Sequence, residues 1–240
     1  MIKSGIDQSA LIEQFSQATA KQGEALRKGV EEATLKALQG RELTLKHIKD
    51  VLNTVTKTAT AGVLKNQAGA VDVGALLGKA VTGMDSAVVQ AVEAHRRALQ
   101  QLVDQGVALR ETQVKKAMTD IEKMEDAMFA SINKAVAGAS QTLQGPWAQA
   151  LGAFKQKGSA TGVGAAEAVE QLTARAQAAA REGRALGQQA AQALLDHYAT
   201  LASGVLIGMS SALQPGAAAK PSTATPAATK PTARKRTSAK

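Results

Sequence analysis

The chain has 240 residues, a formal net charge of +9 and 45% hydrophobic residues, yet only one Trp, one Tyr and three Phe. Aromatic side chains normally fill much of a core, and alanine makes up a large share of the apolar count here, so composition points to thin helices and away from a thick globular core. With no Cys there can be no disulfide framework, thiolate metal site or cysteine nucleophile, and the chain suits a reducing compartment.

Residues 1–68 read as N-terminal amphipathic helices. No apolar run there is long enough for a secretory signal. Leu11, Phe15, Ala18, Leu26, Val30, Ala33 and Ala37 follow helical spacing over residues 6–38, predicting one helix. After Gly40, Leu45, Ile48, Leu52, Val55 and Ala59 form a second stripe with a short heptad pattern. Residues 69–83 are Gly-rich, and interior glycine disfavours helix by about 1 kcal/mol relative to alanine, which predicts a hinge or a weak helix. Gly74 and Gly78 have GxxxG spacing, a pattern for close helix contact.

Residues 84–141 carry the strongest periodicity. Val88, Leu99, Arg110, Ile121 and Ile132 recur every eleven positions, as do Val92, Val103 and Val114, and that repeat belongs to a straight or slightly right-handed helix. A continuous rod from Met84 to Val136 would span about 80 Å at 1.5 Å per residue. Its stripe of Val88, Val92, Leu99, Val103, Val114, Ile121, Met128 and Ile132 is therefore expected to meet a hydrophobic surface or a second copy of the chain. Residues 142–164 read as a linker, with Gly145 and Pro146 as breakers, a short turn bearing Trp147, and a loop from Gly158 to Gly164. Residues 165–213 form an Ala-rich helix through Leu172, Leu186, Leu194, Tyr198, Leu201, Val205 and Met209. Neither Val71–Met84 nor Leu201–Met209 reaches the roughly 20 apolar residues needed to span a bilayer.

Residues 214–240 differ in kind. Four of the five prolines lie there, with Lys220, Lys230, Arg234, Lys235, Arg236 and Lys240 and no acidic residue. Six of the 29 basic residues and none of the 20 acidic ones fall in this tail, so it carries +6 and the body +3. Such a composition buries too little to offset ordering entropy, which predicts disorder. Six flexible cations would bind duplex DNA without sequence preference, with a log-log salt slope of about −5. The tail has no aromatic residue for base stacking.

The chemistry-bearing residues form no recognisable catalytic or metal pattern. His47, His95 and His197 are scattered, and His95 lies on the apolar stripe as a neutral interface histidine. Asp196 and His197 are adjacent on a helix and point apart. Asp120, Glu122, Glu125 and Asp126 alternate with Lys115, Lys116 and Lys123, as on a solvated face with i,i+4 pairs. Gly158, Gly162 and Gly164 match neither GxGxxG nor GxxxxGK[ST]. No catalytic residue, metal or cofactor is assigned.

The expected fold is all-α, with elongated amphipathic helices in a bundle or a coiled-coil-like oligomer and a disordered C-terminal tail. Proline-free amphipathic helices, followed by AAAKP at 217–221, ATKP at 228–231 and ARKR at 233–236, resemble bacterial phasins with a histone-like tail. Phasins are polyhydroxyalkanoate granule-associated proteins. The resemblance implies a non-enzymatic cytoplasmic homo-oligomer that coats a hydrophobic polymer granule and contacts DNA through its tail, on inclusions or at the nucleoid. The alternatives are a histone-like DNA binder and an oligomeric coiled-coil scaffold.

Overall fold

Side-chain caps set where several helices start. The computed structural model of the chain describes residues 7–20, 23–39, 42–65, 72–107, 112–181 and 195–213. Asp7 precedes α1 (Gln8–Ala20), and its Oδ1 accepts from the amides of Ser9 and Ala10 at 3.0 and 3.1 Å. After α2 (Gly23–Gln39), Thr44 Oγ1 accepts from the His47 amide at 3.2 Å and opens α3 (Leu45–Lys65). Asp72 Oδ1 accepts from the Ala75 amide at 3.0 Å and opens α4 (Val73–Asp104). Each cap satisfies amides that have no partner in the first helical turn.

Of the hinge or weak helix expected at 69–83, it is helix that forms, from Val73 onward, and residues 66–71 lie outside the described part. The cap and the burial of Leu76, Leu77, Ala80 and Val81 outweigh the propensity cost of Gly74, Gly78 and Gly83. The single helix expected over 6–38 is two helices, α1 and α2, packed on one another.

The rod expected over 84–141 does not form. Gly106 has φ +95, its amide donates to Val103 O at 2.9 Å, and the Val107 amide donates to Leu102 O at 3.0 Å. This is a Schellman ending, completed by contact between apolar residues at its C″ and C3 positions, here Val107 and Leu102, each 2% exposed. The chain resumes in α5 (Thr112–Glu122) and α6 (Met124–Ala137), with Lys123 between them. The predicted linker 142–164 is also mostly helix. It forms α7 (Gln141–Lys157), with Pro146 in the second turn, and the start of α8 (Ala160–Arg181). The Ala-rich segment gives α8 and α9 (Tyr198–Leu213), while 182–194 lies outside the described residues, as does the whole tail 214–240.

Among the described residues every regular element is an α-helix. α4 is the central one, and α2, α7, α8 and α9 all pack along it, while α1 lies on α3 and α3 on α6. Apolar residues from α1 to α9 join in one continuous core, so the expectation of no thick core is wrong. The physical reason is close helix approach. A Cβ on Gly83 would lie 2.4 Å from Arg27 O, and one on Gly62 would lie 2.7 Å from Phe15 Cβ. With helices that close, Leu, Ile, Val and Met fill the interior without many rings. The GxxxG pair brings no two backbones this close: a Cβ on Gly78 would meet nothing within 4 Å, and one on Gly74 would meet side-chain atoms, Gln149 Oε1 at 3.1 Å and Asp72 Oδ1 at 3.3 Å. Trp147 is fully buried, and its Nε1 donates to Thr60 Oγ1 on α3 at 3.2 Å.

Candidate functional site

The predicted contact stripe is interior. Val88, Val92, Leu99, Val103, Val114, Ile121, Met128 and Ile132 are each at most 2% exposed, and they face the chain's own helices. Once Gly106 turns the chain, the two halves of the stripe are completed within one molecule, so these residues are neither a hydrophobic-surface nor an oligomer face. The predicted DNA-binding residues Lys220, Lys230, Arg234, Lys235, Arg236 and Lys240 lie outside the described residues.

The glycine-rich loop is the start of α8. Gly158, with φ +76, leads into Ser159, whose Oγ accepts from the Gly162 amide at 2.9 Å. Asp85 of α4 reaches across, its Oδ2 accepting from the Ala160 amide at 2.9 Å and its Oδ1 from the Thr161 amide at 3.0 Å. Ser159 Oγ in turn donates to Glu125 Oε1 on α6 at 2.5 Å. The amides that would cradle a phosphate at a helix N-terminus already hold the chain's own oxygens. The site is a structural lock.

The acidic group disperses. Glu125 joins that lock and Asp120 lies near Tyr198, while Glu122 and Asp126 are exposed. None of the four forms an ion pair with Lys115, Lys116 or Lys123, so the predicted i,i+4 pairs are not made. His47 Nε2 is 3.1 Å from Ala37 O, a helix-end contact, and His197 is exposed. Among the described residues no three His, Asp or Glu are grouped so as to hold a metal ion.

A second polar contact lies where α9 meets α4. His95 Nδ1 and Tyr198 Oη are 2.5 Å apart, with the rings tilted at 46°. His95 is 3% exposed and its Nε2 has no hydrogen-bond partner. Burial lowers the His95 pKa to about 4, against a smaller opposing effect of the Leu43 backbone. Burial, and secondarily the charge of Asp120, raise the Tyr198 pKa. Both rings are uncharged at neutral pH. They line a cleft of about 420 Å³ with Leu43, Lys46, Lys116, Asp120 and Asp196 among its walls.

The outer side of α9 was missed in the stripe reading. Leu201 is 36% exposed and Ile207 44%, and Cβ atoms on Gly204 and Gly208 would meet nothing within 4 Å. The signal was available: no charged residue occurs between Tyr198 and Ala219. Among the described residues no helix is long and apolar enough to cross a membrane.

Comparison with known proteins adds one assignment, from a match over residues 1–215. The chain belongs to DUF6781, a family of unknown function. No curated protein and no solved structure matches it. The DUF6781 match ends at Pro215, the first proline of the tail, so all six tail cations lie beyond the part shared with the family.

Proposed function

We propose that this protein is a non-enzymatic, phasin-like interaction protein, which lies on a hydrophobic inclusion in the cytoplasm through α9 and contacts DNA nonspecifically through its cationic tail. The observation that supports this reading is the outer face of α9. Leu201 and Ile207 are exposed on a helix without a charged residue, and that helix leads straight into a segment carrying six cations and no acid. Apolar contact and charge neutralisation are thus adjacent in the chain. Lys and Arg on the tail neutralise phosphates and release counterions, which needs no fixed geometry.

The test uses the full chain, polyhydroxyalkanoate particles and, separately, a short DNA duplex over a range of salt. Leu201→Glu with Ile207→Glu should abolish particle retention and leave DNA affinity unchanged. Gln at all six tail cations should abolish DNA binding with its salt slope of about −5, and leave retention unchanged. Full retention of the Leu201→Glu, Ile207→Glu variant overturns the surface reading. DNA binding without any particle retention would leave a nucleoid-associated DNA binder.

A further inference from the structure

α9 is at odds with its surroundings. A helix apolar on all sides is normally buried on all sides, and α9 has no charge from Tyr198 to Leu213. Yet only one side is covered, where Ala202 and Leu206 sit against α4 and α2, while Leu201 and Ile207 face water. The seat is also shallow, since small Ala, Ser and Gly residues give it little area to bury.

Its polar fastenings include contacts near both ends. Tyr198 pairs with His95, the Leu43 amide donates to Ala199 O at 3.3 Å, and Gln39 Nε2 donates to Ser210 Oγ at 2.5 Å. A helix tied in this way can leave its seat while the rest of the bundle stays folded.

We infer that α9 is a releasable strap, latched by the His95–Tyr198 hydrogen bond, which leaves α4 and α2 and so frees its buried side to meet an apolar surface. Its destination rests on the surface-binding reading above, whereas the release itself takes place in solution without any surface. The latch has a direction. A phenol O–H is a stronger donor than an imidazole N–H, and an imidazole nitrogen is the stronger acceptor, so Tyr198 Oη donates to His95 Nδ1. A protonated His95 carries hydrogen on both nitrogens and can no longer accept. The charged groups around the pair are Lys46 at the start of α3, Lys116 and Asp120 on α5, and Asp196 before α9. Two lysines against two aspartates supply no net charge to hold an imidazolium in place. The bond could then only reverse, with Nδ1–H facing Tyr198 Oη, and it would hold an imidazolium in a site 3% exposed to water, where an uncompensated charge is costly; acid therefore opens the latch.

Amide hydrogen exchange on the full chain tests this, because local release exposes α9 amides without global unfolding. At neutral pH, Tyr198→Phe should speed exchange across 198–213 by about tenfold, the effect of one lost hydrogen bond, with α3 and α4 amides unchanged. Near pH 4, after correction for intrinsic exchange rates, the native chain should show an α9-selective gain at least as large. His95→Gln, which can still accept from Tyr198 but does not titrate, should remove the acid effect. The inference is overturned if α9 exchanges only together with the α4 core, if Tyr198→Phe changes nothing, or if acid release persists in His95→Gln. Particle retention is scored separately, so a failed latch and a failed surface reading give different results.

Discussion

Asp85 and Thr161 are joined twice across the bundle: Thr161 donates both its amide, at 3.0 Å, and its hydroxyl, at 2.6 Å, to Asp85 Oδ1. Asp85 is 5% exposed and Thr161 fully buried, so removing the carboxylate strands several donors at once. Asp85→Ala should destabilise the fold by about 3 kcal/mol, the upper range for hydrogen bonds to a charged group. Urea unfolding followed by circular dichroism measures this, and a loss below about 0.5 kcal/mol would show that the lock contributes little.

Two glycines of the same helix should respond with opposite signs. At Gly83 an added Cβ would lie 2.4 Å from the Arg27 carbonyl and 3.2 Å from the Glu31 amide, so α2 must shift. At Gly78 the space is open. Gly83→Ala should lower stability by about 2 kcal/mol, as overpacking does. Gly78→Ala should raise it by up to about 1 kcal/mol through helix propensity. Thermal melts of the two variants side by side check the pair.

Stability should also depend on acid through His95. Its pKa is about 4 in the folded chain against 6.5 for the free side chain. Between those values the unfolded chain holds the proton and the folded chain does not, so stability rises with pH across this window and is complete above it. The span corresponds to about 3 kcal/mol. Unfolding free energies at pH 4.5 and 7 should therefore differ less in His95→Gln than in the native chain.

The interior stripe makes a further contrast with α9. Leu99→Ala removes a fully buried side chain and should cost about 3 kcal/mol, whereas Leu201→Ala, at a site 36% exposed, should change stability by less than about 0.5 kcal/mol. Urea midpoints of the two variants check this.

The sequence shows which residues are apolar and helical far better than what they meet. Val88, Leu99, Ile121 and Ile132 do all lie in the core, but an eleven-residue spacing cannot tell a rod from separate helices packed in one bundle. The turn lies in Gln105, Gly106 and Val107, where one glycine with positive φ after an apolar helix end outweighs the periodicity on both sides. Asp72 and Ser159 were readable as caps from residue type alone. The Asp85 lock was not, since it joins positions far apart in the chain with no local pattern. His95 was legible as a neutral interface residue, but its partner Tyr198 lies over a hundred residues away and needed the fold. The exposed side of α9 was legible in principle as an uncharged run, and a stripe through Leu201 and Val205 concealed it.

Trp147 and Tyr198 are the only Trp and Tyr in the chain, one held in the core against Thr60 and the other at the start of α9 against His95. The protein therefore carries two natural optical probes in two different parts of its fold. Indole emission reports on the docking of α7 against α3, and phenol absorbance on the seating of α9, so the two events can be followed in one unlabelled sample.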